Sequence, residues 1–122
     1  MKKILFIFLL IGTSFISIAQ QTFVNKYTSY VTNIKDVISE MKATEVTIVF
    51  NEGNTTDIVV YAKSGAKRFY RTGEVRKGKT NGGYEYQWVD CVQDETGYKA
   101  SIQLFDDACR IFFDGDYVEY QK

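Results

Sequence analysis

The chain has 122 residues, enough for one domain with a core of modest size. Its 15 basic and 15 acidic residues give a formal net charge of zero, so no basic footprint favours nucleic acid as a partner. Histidine is absent, which excludes Ser-His-Asp and Cys-His catalysis as well as histidine-ligated zinc.

Residues 1–19 have the pattern of a cleavable secretory signal. Two lysines precede an apolar run over residues 4–11, and Ser17 and Ala19 are the small residues that signal peptidase needs before its cut. The run is shorter than the roughly 20 residues of a membrane span. We therefore expect a bacterial protein whose mature chain begins at Gln20. It would be periplasmic or secreted, with no stable membrane anchor after cleavage.

The segment over residues 23–41 is predicted to form one amphipathic helix. Its apolar side chains fall on one arc when they are spaced at the helical period of about 100° per residue. These side chains are Phe23, Val24, Tyr27, Tyr30, Val31, Ile34, Val37, Ile38 and Met41. The Thr and Ser content gives this segment a poor helix propensity, so the helix would depend on burial of its apolar side.

From residue 45 onward the apolar period changes to two, and turn residues recur at short intervals. The predicted strands cover residues 45–51, 56–63, 67–76, 84–93, 98–105, 109–114 and 117–121. Their connections are too short for crossover helices, which favours antiparallel pairing. The predicted fold is α+β, a single domain over residues 20–122. In it the N-terminal helix packs on a seven-stranded antiparallel meander that is strongly curved or closes to a small barrel.

Alternation along these strands separates aromatic from aliphatic side chains. The aromatic face is predicted to contain Tyr61, Tyr70, Tyr86, Trp88 and Phe105. The aliphatic face is the better match for the helix, which would leave the aromatic face for a barrel lumen, for solvent or for a partner. Tyr and Trp are typical of interfaces because each combines a large apolar ring with a polar group. Burial of both faces in the core is the alternative.

Residues 73–80 satisfy the phosphate-loop pattern from Gly73 to Thr80 at every fixed position. That pattern works where a helix follows the loop and its N-terminal amides bind phosphate. Here Asn81 and two glycines follow, and then the apolar alternation of a strand begins. We interpret the match as a glycine-rich hairpin loop and expect no nucleotide cofactor.

Cys91 and Cys109 are the two cysteines of the chain. An even count in an exported protein favours a disulfide. The predicted register opposes one, because it sets Cys91 opposite about Ala100 and Cys109 opposite about Phe105. That places the cysteines about 19 Å apart by strand dimensions, whereas a disulfide needs Cα atoms within about 7 Å. Both possibilities stay open at this point.

Acidic residues near two predicted turns suggest a weak calcium hypothesis. Alternate hairpin loops of a meander lie at the same end, which would bring together Asp94, Glu95, Asp114 and Asp116. Asp beside Gly is equally typical of ordinary turns. We therefore expect no metal site.

These features together favour a non-catalytic binding module that contacts a protein or glycan partner through its Tyr/Trp face. One alternative is a small-ligand carrier with an apolar barrel lumen. Another is a hydrolase that uses paired carboxylates such as Glu85 and Asp90 on the strand over residues 84–93.

Overall fold

The computed structural model describes residues 21–122 and shows a nearly all-β molecule. The predicted signal over residues 1–19 lies outside the described residues. The strands are β1 (Phe23–Ile34), β2 (Val37–Ile38), β3 (Lys42–Phe50), β4 (Asp57–Ala62), β5 (Gly65–Arg71), β6 (Arg76–Lys79), β7 (Glu85–Gln93), β8 (Lys99–Leu104), β9 (Ala108–Phe113) and β10 (Asp116–Gln121). A short 3-10 helix (Glu52–Asn54) connects β3 to β4. Within the described range, no helix is long and apolar enough to cross a membrane.

Eight of the strands form a closed antiparallel barrel. The order around the barrel is β1-β3-β4-β5-β7-β8-β9-β10, and β10 returns to pair with β1. The closing register sets Ser29 opposite Gln121 and Asn33 opposite Tyr117. Of the two additional strands, β2 pairs with the far end of β1, and β6 pairs with the first half of β7. Closure lets the sheet bury its own inner face, so no packed helix is required.

The predicted N-terminal helix is wrong, and with it the α+β class. Residues 23–34 form strand β1, a turn follows at Lys35 and Asp36, and β2 returns along β1. The two turn residues have φ of 51° and 66°, which suits the tight hairpin turns that match strand twist. The Val, Thr and Tyr residues of this segment favour a pleated strand over a helix.

A β-bulge explains why β1 has helical spacing. The pairing of β1 with β3 shifts register between Tyr27 and Ser29, where β3 has one more residue than β1 between the paired positions. As a result Tyr27 and Tyr30 both face Tyr120, with ring centroids 6.2 and 6.4 Å from it. The inward residues Phe23, Tyr27 and Tyr30 are therefore four and three positions apart, the spacing of one face of a helix.

The strands predicted after residue 45 agree closely with the structure. Each overlaps one barrel strand, and Cys91 lies opposite Ala100 as expected. The predicted strand over residues 67–76 is interrupted, because β5 ends at Arg71 and the chain resumes pairing with β7 as β6. The amide of Thr72 still donates to the carbonyl of Asp90 at 2.9 Å, which keeps the interruption close to β7.

Seven of the eight barrel strands contribute inward side chains to the buried core, and Val118 and Tyr120 of β10 pack against it while partly buried. The buried core consists of Phe23, Tyr27, Val46, Ile48, Phe50, Ile58, Val60, Phe69, Val89, Cys91, Ala100, Ile102, Leu104, Cys109 and Ile111. Phe23 stacks on Phe50 with ring centroids 4.6 Å apart. Burial raises the pKa of Cys91 to about 12 and also raises the pKa values of Tyr27 and Cys109. Such a core resembles that of small barrels whose interior is just wide enough for their own side chains.

One ion-pair network lies on the outside of β4 and β5. Arg68 binds Glu52 at 2.8 Å and Asp57 at 2.7 Å, and the Tyr61 hydroxyl donates to Glu52. The hydrogen bond from Tyr61, followed by that from Arg68, lowers the pKa of Glu52. Val59 lies directly opposite Arg68 and is buried, so the network covers an apolar side chain on the outer surface.

Candidate functional site

Aromatic and arginine side chains gather on the outer face of strands β6 to β10. Gln87, Val89 and Cys91 of β7 are buried in the barrel, so the alternate residues Tyr86 and Trp88 point outward. We call this surface the aromatic–arginine face. It consists of Arg76, Tyr86, Trp88, Phe105, Arg110, Phe112 and Tyr117.

Trp88 is half-buried and is partnered by a cation. Arg76 lies directly opposite it on β6, with the guanidinium carbon 5.1 Å from the centre of the indole ring. A guanidinium over an indole is the most favourable geometry of cation–π contact, and at partly exposed sites it contributes about 0.5–1 kcal/mol. The indole is therefore held in place by a surface partner and keeps part of its area in contact with water.

The ring of Tyr86 packs against two neighbours. Its centroid is 5.0 Å from that of Phe105, and its edge lies over the backbone of Gly78, the residue opposite it on β6. A Cβ atom at Gly78 would lie 2.7 Å from Cζ of Tyr86, closer than van der Waals contact allows. A glycine inside a strand often marks such a close approach. The glycine of the phosphate-loop match thus has a packing role.

Arg110 occupies the centre of the face. Its guanidinium carbon is 5.1 Å from the ring centre of Phe105 and 5.3 Å from that of Tyr117. Its Nε donates to the carboxylate of Glu119, the residue directly opposite on β10. Phe112 extends the arrangement, with its ring 4.9 Å from Tyr117. Two rings and one carboxylate therefore fix the guanidinium in a single orientation.

A groove of about 900 Å³ borders this face at one end of the barrel. Its walls are the hairpin loop between β6 and β7 and the turn between β8 and β9. The lining residues are Thr80, Asn81, Gly82, Tyr84, Glu85, Phe105, Asp106, Asp107, Ala108, Arg110 and Glu119. Tyr84 is 73% exposed and projects from the loop. Phe105 and Arg110 belong both to the groove and to the face, so the two form one continuous surface.

The structure divides the five predicted binding residues into two sets. Tyr86, Trp88 and Phe105 lie together on the aromatic–arginine face. Tyr61 is on the outside of β4, where it donates to Glu52, and Tyr70 is opposite Val92 on β5. The five residues were predicted to share one face of adjacent strands. Tyr70 lies four residues along the β5–β7 pair from Trp88, and Tyr61 is two strands away from β7, on β4.

Sequence reasoning missed four members of the face, Arg76, Arg110, Phe112 and Tyr117. The predicted loop over residues 106–108 was one residue too long. The observed turn has Asp106 and Asp107 at its tip, and Leu104 rather than Phe105 lies opposite Cys109. A one-residue slip exchanges the two faces of a strand, so the predicted register does not place Arg110 and Phe112 on the same face as Phe105. The correct turn length was the signal that could have found them.

The two cysteines are free thiols on the inner face of the barrel. Cys91 lies on β7 and Cys109 on β9, with β8 between them. Both are buried.

Two of the acidic turn residues make hydrogen bonds that connect neighbouring hairpins. Asp116 accepts a hydrogen bond from the backbone amide of Lys35 at 2.9 Å, which connects the turn after β9 to the turn after β1. The amide of Asp94 donates to the carbonyl of Arg68 at 2.9 Å. Among residues 21–122, no group of three or more His, Cys, Asp or Glu side chains could hold a metal ion. Asp94, Glu95, Asp114 and Asp116 are thus not brought together in such a group within the described range.

The phosphate-loop match forms a strand followed by a turn. Residues 76–79 are β6, the amide of Gly83 donates to the carbonyl of Thr80, and β7 then begins at Glu85. A strand therefore occupies the position at which a phosphate-binding helix would have to begin.

Glu85 and Asp90, the predicted carboxylate pair, face opposite sides of β7. They are five residues apart on a strand of period two. Glu85 lines the groove beside the aromatic–arginine face, whereas Asp90 accepts a hydrogen bond from the Ser101 hydroxyl at 2.6 Å and lines a second groove. The two carboxylates therefore do not converge on one substrate position.

Comparison with protein-family models, curated proteins and solved structures gives no match to this chain.

Proposed function

We propose that this protein is an exported, non-catalytic binding module whose aromatic–arginine face contacts a partner protein. The observation that carries the proposal is the central Arg110, which is held between Phe105 and Tyr117 and joined to Glu119. A guanidinium fixed in this way loses little conformational freedom when a partner binds, and preorganisation of this kind favours affinity.

The composition of the face favours a protein partner over a glycan. Tyr, Trp and Arg are the residues that contribute most to protein–protein binding free energy, whereas Lys, Glu and Asp are depleted at the centres of such interfaces. The face consists of aromatic and arginine side chains, and Glu119 is paired with Arg110. The acidic groove at its border, with Glu85, Asp106 and Asp107, would then receive a basic side chain from the same partner.

Two further observations favour this proposal over the alternatives. The inward side chains of the barrel are buried in an apolar core, which disfavours a carrier with an open apolar lumen. The carboxylates of Glu85 and Asp90 lie on opposite faces of their strand, which disfavours a hydrolase that uses this pair.

The proposal is tested by affinity capture of partners from the exported fractions of the producing cells, followed by calorimetry with the purified partner. Trp88→Ala and Arg110→Gln should each weaken binding by about 30-fold or more, the loss typical of a residue at the centre of an interface. Tyr70→Ala is the matched control, because Tyr70 is an outward aromatic residue 40% exposed on another part of the wall. It should change the dissociation constant less than about threefold.

Two outcomes would contradict the proposal. In one, both face variants bind the captured partner as tightly as the unmodified protein does. In the other, the captured molecule is a glycan that competes at the same face.

Export is tested separately, by an intact-mass measurement that should show a mature chain beginning at Gln20.

A further inference from the structure

A second exposed surface lies at the far end of the first hairpin. Residues 34–42, the hairpin tip, contain four apolar side chains with large exposed fractions. These are Ile34 at 51%, Val37 at 70%, Ile38 at 66% and Met41 at 59%. Monomeric proteins seldom leave such a cluster in water without a use. None of the four belongs to the aromatic–arginine face.

The same tip has an open backbone edge. β2 pairs with β1 and with no second strand in the described part of the chain. Ser39 is also fixed on the β1 side, where its amide donates to the carbonyl of Thr32 and its hydroxyl accepts from the amide of Thr32. On the other side, the pairing of β3 with β4 runs from Phe50 only as far as Thr47. On the side away from β1, residues 37–45 therefore pair with no strand of the described part of the chain, and this edge is a template for another strand.

We propose that the hairpin tip is a self-association site, at which a second copy of this chain pairs its own tip edge to edge. In an antiparallel pair related by a two-fold axis near Met41, residue 40 of each copy lies opposite residue 42 of the other. Those residues are Glu40 and Lys42, both exposed and neither in an ion pair within residues 21–122. The edge is thus complementary in charge to itself, and opposite charges directly across a strand pair are favourable.

The apolar side chains supply the remaining attraction. Pairing removes Val37, Ile38 and Met41 from water, and each is more than half exposed in the single chain. The contact is small, so we expect a reversible dimer with a dissociation constant in roughly the micromolar range.

Charge reversal at the edge gives the sharpest test. Sedimentation equilibrium of the purified protein between about 1 and 500 μM should show a monomer–dimer equilibrium. Glu40→Lys alone and Lys42→Glu alone should each weaken the dimer at least tenfold, because like charges then face each other twice. An equimolar mixture of the two variants should recover the dimer. In the mixed pair every lysine at these two positions faces a glutamate.

Two single substitutions separate this edge from the rest of the surface. Ile38→Lys should abolish the dimer. Val24→Lys is the matched control, because Val24 is 51% exposed on the outside of β1, away from the tip, and should leave the equilibrium unchanged.

A protein that is monomeric at every concentration overturns this proposal. It is also overturned if both charge variants still form the dimer, or if an equimolar mixture of the two variants does not recover the dimer. Trp88→Ala should leave the dimer unaffected. If it abolishes the dimer, the second copy occupies the aromatic–arginine face and the tip is not the site.

Discussion

The inner and outer faces of the barrel wall both carry large aromatic rings, but the rings have different partners. Inside, Phe50 and Phe69 are 0% and 1% exposed and belong to the buried core. Outside, Trp88 and Tyr117 are half-buried, and each is in contact with an arginine. Inward and outward residues that alternate along one strand thus have different roles. The inner rings stabilise the fold, whereas the outer rings are held in place without being withdrawn from the surface.

The largest expected effect comes from removing an inner ring. Phe50→Ala should lower the free energy of unfolding by about 3–5 kcal/mol, because it removes a buried ring and leaves a cavity beside Phe23. Urea denaturation monitored by circular dichroism measures the change. A loss below about 1.5 kcal/mol would mean that the inner face contributes no more than the outer one, and the distinction between the faces would fail.

Removing an outer ring should have a smaller effect on stability. Trp88→Ala is expected to lower the free energy of unfolding by about 1–2 kcal/mol, since the indole is half-buried and its main charged partner is Arg76. Trp88 is the single tryptophan, so the fluorescence of the unmodified protein reports on this position alone. Acrylamide should quench that fluorescence in the folded state. A blue-shifted emission that resists quenching would show that the ring is part of the core.

The outer ion-pair network gives the smallest expected effect, and it depends on pH. Hydrogen bonds from Tyr61 and Arg68 lower the pKa of Glu52 in the folded state below its ordinary value of 4.5. The contribution of Glu52 to stability is therefore fully present above the unfolded-state pKa and is lost as the pH falls through the folded-state pKa.

Glu52→Gln should accordingly reduce the difference in Tm between about pH 6 and about pH 3. Glu95→Gln is the control, because Glu95 is an exposed turn residue with no ion pair in the described range. If Glu52→Gln leaves the pH dependence of Tm as it is, the network does not hold the carboxylate ionised.

The sequence allowed most of the barrel to be predicted, because the strands after residue 45 combine a period of two with strong turn residues. It did not allow the first strand to be predicted. The bulge between Tyr27 and Ser29 gives β1 the spacing of a helix, and the turn at Lys35 and Asp36 lacks the glycine that usually marks such a hairpin.

The candidate site was predicted in part for a related reason. Trp88 and Tyr86 were placed outward because the β7–β8 register was correct. Arg110 was missed because one turn was assigned one residue too many, and a slip of one residue inverts a whole strand. The ring contacts of Arg110 depend on the pairing of β8, β9 and β10, which no local pattern specifies.

The central claim, that the aromatic–arginine face is the contact surface, is tested most directly by photocrosslinking in the producing cells. A photoreactive phenylalanine analogue is placed at Trp88 and, separately, at Tyr70 on the outside of β5 as a control. We expect a discrete adduct of higher mass from position 88 and none from position 70. An adduct from position 70 alone, or no adduct from position 88 when the captured partner is present, would contradict it.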